Sequence, residues 1–189
     1  MMQRLPSRAL LFAMALLPLL AACGGGNVPY TDASGMFAPP GGNFSVRLPE
    51  GCSLADSTID TMGGGLIGHR YIFRKGLCCA VLVEHAPLPD DLKDTAGTEA
   101  LMASMAKVFN EQLTVVRTVD TRVAGYPAQT VYFTEEVDGD KAIGRSVLIV
   151  ARGRIYRLTY LDMDKEATMA ELEKGAPLVF FASFHLLKS

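Results

Sequence analysis

The chain has 189 residues, of which 49% are hydrophobic and 20% are charged, and its formal net charge is −2 at pH 7. This length fits one ordinary domain with short additional segments. The lack of a basic excess excludes nucleic-acid binding driven by charge, and the composition excludes collagen, a coiled coil and wholesale disorder.

The first 22 residues have the pattern of a secretory signal peptide. Arg4 and Arg8 form a basic start, and residues 9–20 form an apolar run that is too short to span a bilayer. The segment Leu20-Ala21-Ala22-Cys23 then resembles the lipobox of bacterial lipoproteins. In that family cleavage occurs before the cysteine, and its thiol carries a diacylglyceryl group. The resemblance implies a signal peptide over residues 1–22 and lipidation of Cys23. The alternative is an ordinary secretory cleavage site that happens to leave a cysteine.

Acylation of Cys23 predicts a membrane-anchored protein of the bacterial cell envelope. Two or more acyl chains hold a protein stably on a bilayer, whereas one chain binds it only reversibly. In lipoproteins of Gram-negative bacteria, Asp after the cysteine signals retention in the inner membrane. Gly24 stands at that position here. We therefore expect the outer membrane, facing the periplasm, if the source is Gram-negative.

The segment that follows Cys23 is rich in glycine and proline. Nine of the nineteen residues from Gly24 to Gly42 are Gly or Pro, and no hydrophobic period is present. This composition predicts a flexible tether over residues 23–42 and a single domain over residues 43–189. An alternative interpretation of Pro39-Pro40 is a polyproline ligand for a partner.

The remaining elements follow from hydrophobic period and turn residues. One apolar stripe at helical spacing, in a helix that Asp94 or Thr95 can cap, comprises Leu101, Met102, Met105, Val108, Phe109 and Leu113. In chain order we predict strands over 44–48, 53–61, 69–74 and 78–85, a helix over 95–113, strands over 115–123, 128–137, 143–151 and 154–161, a helix starting at Asp162 or Asp164 and ending at Lys174, and a short helix over 177–184. This order predicts an α+β fold, with helices packed on an antiparallel sheet.

Four short motifs resemble the PsbP-like family, which includes many small bacterial lipoproteins. They are Phe44-Ser45-Val46-x-x-Pro49-x-Gly51, Gly125-Tyr126-Pro127-Ala128, Gly153-Arg154-Ile155-Tyr156-x-Leu158-x-Tyr160 and Ser183-Phe184. The resemblance covers about residues 43–187 and implies a PsbP-like α/β/α sandwich. Cys52 departs from the family, in which an aromatic residue is common at that position. The family shares no catalytic set, so no catalytic residue carries over.

Three cysteines remain beside Cys23, an odd number for an oxidising compartment. Neighbours on a strand point to opposite faces, so only one of Cys78 and Cys79 can meet Cys52. We expect a disulfide between Cys52 and Cys78 or Cys79, with the third cysteine as a buried inert thiol. A strained Cys78–Cys79 bridge and three reduced thiols are the alternatives. Neither a C-x-x-C motif nor a cysteine at a helix start is present, which argues against redox catalysis.

The other candidate sites have ordinary structural interpretations. His69, His85 and His185 have no metal-ligand spacing, although His69 and His85 can lie on neighbouring strands. The glycine-rich run from Gly63 to Gly68 lacks the Lys-Ser/Thr of a phosphate-binding loop. We interpret it as a hairpin loop.

Charged residues cluster on the last hairpins. For these we expect cross-strand charge pairs, with an anion or partner site as the alternative. The cluster comprises Arg145, Arg152, Arg154, Arg157, Glu135, Glu136, Asp138 and Asp140.

We therefore expect a lipid-anchored envelope protein that acts as a non-enzymatic binding or scaffold module. Its expected partners are the membrane, through Cys23, and an envelope protein. We expect no cofactor, no metal, no catalytic residues and no nucleic acid. The first alternative is an envelope enzyme or metal- and thiol-handling protein that uses Cys78, Cys79, His69 or His85. The second alternative is a carrier of small apolar ligands lined by Met102, Met105 or Phe109.

Overall fold

A computed structural model describes residues 28–62, 65–137, 140–164 and 166–188. The predicted signal peptide, Cys23 and Gly24 lie outside these ranges. The described helices and strands are β1 (Met36–Phe37), β2 (Phe44–Arg47), β3 (Ser53–Met62), β4 (Leu66–Lys75), β5 (Cys79–Pro87), α1 (Thr95–Gln112), β6 (Thr114–Val123), β7 (Tyr126–Val137), β8 (Asp140–Ala151), β9 (Arg154–Asp162), α2 (Gly175–Ala182) and β10 (His185–Leu186).

Seven strands form one antiparallel sheet with the order β3-β4-β5-β9-β8-β7-β6. Most neighbouring strands follow each other in the chain and form hairpins. The pairing of β5 with β9 joins the β3–β5 half of the sheet to the β6–β9 half. The two-residue turn between β8 and β9 has positive φ at Arg152 (50°) and Gly153 (67°), which is the geometry that matches strand twist in tight hairpins. β5 is buried on both faces along nearly its whole length, as its continuous apolar run predicts.

α1 covers one face of this sheet. Asp94 caps the helix, since its carboxylate accepts a hydrogen bond from the Gly97 backbone N–H at 2.6 Å. Leu101, Met105 and Phe109 are the buried residues of the predicted stripe. A Cβ at Gly97 would lie 2.6 Å from Leu92 Cα, so the preceding loop leaves no room for a side chain at that position.

The opposite face is covered by α2 and by a small sheet with the order β1-β2-β10. Phe37, Phe44, Phe180 and Phe184 pack with the apolar side chains of β4, β5 and β9. This layer therefore combines a helix with a second sheet, where the predicted sandwich has helices on both sides.

The prediction of a flexible tether over residues 23–42 is wrong for its second half. Met36 and Phe37 pair with Arg47 and Val46 of β2, and the Phe37 side chain is fully buried. The ring of Phe37 lies 5.0 Å from those of Tyr71 and Phe73. Burial of one aromatic side chain outweighs the high glycine and proline content around it.

The prediction of a helix from Asp162 or Asp164 to Lys174 is also wrong for the described residues. The Asp162 and Asp164 carboxylates accept hydrogen bonds from the backbone N–H groups of Asp164 and Glu166, both at 3.0 Å. Such side-chain bonds compete with the helical backbone ladder. Among the described residues of this segment, a single 3-10 turn forms, over Glu171–Glu173.

The α+β prediction is confirmed, since the described chain consists of two antiparallel sheets and two helices. Neither described helix is long and apolar enough to cross a bilayer.

Candidate functional site

An open groove of about 660 Å³ lies between the first half of α1 and the β6–β7 hairpin. Its apolar lining includes Leu88, Met102 and Val150, of which Leu88 and Val150 are buried core residues. Leu101 and Met105 of α1 pack with buried residues of β5, β8 and β9, and Phe109 packs with residues of β5, β7 and β9. Met102 is only partly buried and lines the groove.

Charged side chains form both rims of this groove. Lys93 and Glu99 lie on the α1 side, and Asp120, Arg122 and Arg152 lie on the hairpin side. Both signs of charge are present, so the groove suits a ligand with an apolar surface and separate polar groups.

The hairpin rim is held in place by hydrogen bonds. The Gln129 side-chain amide donates to Asp120 Oδ1 at 3.0 Å, and Arg122 donates to the backbone carbonyl of Gly125 at 2.8 Å. Arg152 donates to the Tyr126 hydroxyl at 3.3 Å and to the Leu187 carbonyl at 2.7 Å. The buried Gln129 Oε1 has no hydrogen-bond partner among the described residues and can accept a hydrogen bond from a ligand.

The residues named for an apolar carrier do not lie together. Met105 and Phe109 belong to the core, with 1% and 8% of their surface exposed. Only Met102 of the three also lines the groove. The predicted pocket between the sheet and the Met105–Phe109 part of the helix is therefore packed core.

Cys52 and Cys79 are in contact, and their thiols share a hydrogen bond. Cys79 is the first residue of β5, and Cys52 directly precedes β3. The hydrogen bond from Cys52, and after it one from Tyr160, lowers the pKa of Cys79 to about 6, although burial opposes the change. The same hydrogen bond and burial raise the pKa of Cys52. All three described cysteines are free thiols.

The expectation that the third cysteine is a buried inert thiol is wrong. Cys78 lies in the turn before β5 and is exposed. The structure thus selects Cys79 as the neighbour of Cys52 and leaves Cys78 in contact with solvent.

The three histidines do not form a metal site. Among the described residues, no group of three His, Cys, Asp or Glu side chains is placed to hold a metal ion. His69 and His85 are paired on neighbouring strands, with ring centroids 5.1 Å apart. His185 is exposed, and its Nε2 lies 2.9 Å from the Ser45 hydroxyl.

His85 is not an edge or surface histidine, since only 1% of its surface is exposed. Arg154 Nη2 lies 3.0 Å from Nδ1 of this ring. Burial, and after it the charge of Arg154, lowers the pKa of His85 to about 4. The ring is therefore neutral at pH 7.

A buried ion network that the sequence did not predict surrounds Glu84 on the α1 face. Glu84 is fully buried, and its carboxylate accepts hydrogen bonds from Arg157 and, at 2.9 Å, from Arg70. Arg70 also bonds Asp60 at 2.6 Å. Burial raises the pKa of Glu84, but the two guanidinium groups outweigh it and hold the pKa below its usual value. The signal for this network in the sequence was Glu84 itself, an acidic residue in a strand that is predicted to be buried on both faces.

The arginines of the last hairpins are separated by the sheet. Arg157 pairs with Glu84 on the α1 face. On the other face Arg145 bonds Glu173 at 3.1 Å and lies over the Phe181 ring. Arg157 thus has a cross-strand partner in Glu84, as expected, whereas Arg145 pairs with Glu173 outside the main sheet.

Two further predicted features lie at the edge of the described residues. Gly63 and Gly64 of the glycine-rich run, and Asp138 of the β7–β8 turn, lie outside them. Gly68 belongs to β4, and a Cβ there would lie 2.6 Å from the His85 carbonyl oxygen. This glycine permits a close approach of two strands.

The sequence matches no protein-family model and no curated protein. Solved structures are similar in fold. The solution structure of CyanoP, the cyanobacterial PsbP of Synechocystis sp. PCC 6803, has a TM-score of 0.55 and 15% identity, covering 88% of this chain and 98% of that chain. A crystal structure from Bacteroides thetaiotaomicron has a TM-score of 0.51 and 11% identity, covering 82% of this chain and 49% of that chain.

LpqN of Mycobacterium tuberculosis, described as involved in cell envelope biogenesis, has 10% identity and covers 77% of this chain and 83% of that chain. Its TM-score of 0.44 is too low to establish a common fold. At these identities the likeness to CyanoP and to the Bacteroides protein concerns the fold alone. The chain has a PsbP-like α+β fold.

Proposed function

We propose that this protein is a lipid-anchored module of the bacterial cell envelope that binds a partner in the groove beside α1 and catalyses no reaction. The groove carries the proposal. Its volume of about 660 Å³ falls within the range of about 300–1,000 Å³ typical of ligand sites. Its rim is fixed by hydrogen bonds, so binding orders few groups and costs little entropy.

The anchor rests on the sequence Leu20-Ala21-Ala22-Cys23 and on the apolar run before it. Two or three acyl chains on Cys23 would hold the domain permanently on a membrane. Gly24 favours the outer membrane, facing the periplasm, in a Gram-negative cell.

The partner we favour is an envelope protein that presents an extended segment with apolar and charged side chains. Leu88, Met102 and Val150 offer apolar contacts along the floor. The rims can form ion pairs with a partner through the cations Lys93 and Arg122 and through the anions Glu99 and Asp120. A small apolar ligand would make no polar contact with these charged rims.

Site-specific photo-crosslinking in living cells tests the groove. A photoreactive side chain is placed at Glu99, which lines the groove, and in a matched control at Lys107, which lies two turns further along α1 and is exposed. We expect a discrete adduct from position 99 and none from position 107.

A blocking variant makes this test specific. Ala103→Trp fills the groove from α1, and we expect it to abolish the adduct formed at position 99. Equal adducts at both positions, or an adduct that persists with Ala103→Trp, would contradict the proposal. Native mass spectrometry of the purified protein distinguishes the carrier alternative, because a bound small apolar ligand adds a defined mass.

A further inference from the structure

Exposed side chains, three of them apolar, lie at one corner of the main sheet, on the face opposite α1. We call Tyr30, Ile59, Thr61, Ile67 and His69 the corner patch. Tyr30, Ile59 and Ile67 are 53%, 67% and 68% exposed. The register pairs Ile59 with His69 and Thr61 with Ile67. Since directly paired residues share a face, these four side chains project on the same side of the sheet.

Tyr30 joins the corner patch through the folded N-terminal segment. Its carbonyl accepts a hydrogen bond from the Ala38 backbone N–H at 2.9 Å. The neighbouring Phe37 ring lies 5.0 Å from the Tyr71 ring, which in turn stacks on His69 at 6.4 Å. The chain therefore enters the domain beside the patch.

A cation lies on the same face of the sheet as the corner patch, and the acids of β3 lie on the other face. The two acids of β3, Asp56 and Asp60, pair with Ile72 and Gly68, so they lie on the opposite face of the sheet. Arg154 lies on the same face as the patch, two residues before Tyr156, which pairs with His85. Its partly exposed guanidinium lies 3.0 Å from the buried His85 ring, and the centroid of that ring lies 5.1 Å from that of His69, so one cation borders the patch and can contact lipid phosphate groups.

The length of chain between the predicted anchor and the domain limits where the domain can lie. Val28 packs against the core, and it follows Cys23 by five residues. Five residues span at most about 18 Å when fully extended. An acylated Cys23 therefore keeps the entry point of the domain close to the membrane, and Tyr30 follows this point by two residues.

We propose that the corner patch lies against the phospholipid bilayer and fixes the orientation of the domain on the membrane. This inference rests on the proposed lipid anchor. The acyl chains supply the affinity, while the patch selects one face of the domain. The groove beside α1, on the other face of the sheet, then points away from the lipid and stays open to a partner.

Tryptophan fluorescence tests this orientation, because the chain contains no tryptophan. We propose to purify full-length acylated Ile67→Trp and the control Val116→Trp, whose native valine is 58% exposed on β6. Each is reconstituted into phosphatidylethanolamine–phosphatidylglycerol vesicles with and without brominated acyl chains. Interfacial side chains lie about 5–10 Å into the headgroup boundary, so we expect bromolipid to remove roughly half of the emission of Ile67→Trp and little of that of Val116→Trp.

Separate measurements distinguish a failure of the orientation from a failure of the anchor. The intact mass shows whether Cys23 is acylated, and flotation shows whether the protein is on the vesicles. If an acylated, vesicle-bound Ile67→Trp is quenched no more than Val116→Trp, the orientation inference is wrong and the anchor stands. If the protein carries no acyl chain, the predicted lipid anchor is wrong, and the inferred orientation is then wrong as well. A blue shift of the Ile67→Trp emission that depends on protein concentration and not on lipid would show that the patch binds a second copy of the chain, which would contradict the inferred orientation.

Discussion

The Cys52–Cys79 pair gives a stability prediction that can be worked out from the structure. Under oxidising conditions we expect these two thiols, which are already in contact, to form a disulfide. The bridge would close a loop of about 27 residues, which corresponds to about 3–4 kcal/mol in the chain-entropy model. For a domain of this size, 1 kcal/mol shifts the melting temperature by about 2–4 °C, so the bridge is worth roughly 10 °C.

The assay compares thermal unfolding of the oxidised wild type, Cys52→Ser and the control Cys78→Ser. We expect Cys52→Ser to lose the full increment and Cys78→Ser to change stability by less than about 0.5 kcal/mol, because Cys78 is exposed. Added reductant should lower the melting temperature of the wild type towards that of Cys52→Ser. Thiol labelling in denaturant without reduction should give one label per chain, at Cys78. Three labels on protein isolated from the envelope would refute the bridge.

Three further predictions concern buried groups. His85→Gln should remove part of the acid sensitivity of the fold. The pKa of His85 is about 4 in the folded state and 6.5 in the unfolded state, so the unfolded state binds this proton first. The free energy of unfolding therefore falls by about 3 kcal/mol as the pH falls from 6.5 to 4. The check is urea unfolding at pH 7 and pH 4.5, and an equal loss in wild type and variant would contradict the shift. Glu84→Gln leaves two guanidinium groups without their carboxylate and should lower the free energy of unfolding by about 3–5 kcal/mol. The control Asp60→Asn, at a half-exposed position, should lower it by less than about 1 kcal/mol. Similar urea midpoints for these two variants would show that the network is not stabilising. Phe37→Ala should lower the free energy of unfolding by about 3–5 kcal/mol, measured by thermal unfolding. An unchanged melting temperature would instead support a flexible tether up to residue 42.

The local part of the fold could be predicted from the sequence. The stripe of Leu101, Met105 and Phe109 and the cap at Asp94 locate α1, because helical spacing and capping depend on neighbours in the chain. The hairpins also follow from local signals, since turn residues separate short apolar strands. The antiparallel sheet with helices is the arrangement that this order of elements favours.

Two local predictions failed because a stronger interaction overrode composition. Glycine and proline around Phe37 indicate a tether, but the apolar pair Met36-Phe37 within that segment was the signal of a buried strand. From Asp162 to Lys174, side-chain hydrogen bonds of Asp162 and Asp164 replaced the helical ladder.

The candidate site depends on distant parts of the chain and could not be predicted in the same way. The groove forms between α1 and the β6–β7 hairpin. Its shape therefore depends on how these elements pack against each other. The partners of Glu84 come from β4 and β9, and only the pairing order of the strands brings them together.

The measurement that tests the account most directly is membrane fractionation of the wild type and Cys23→Ser, with mass spectrometry of the N-terminal peptide. We expect the wild type in the membrane fraction, with residues 1–22 removed and acyl chains on Cys23. Cys23→Ser should leave the membrane or accumulate as the uncleaved precursor. A Cys23→Ser protein that is processed and fractionates with membranes as the wild type does would contradict the lipid anchor.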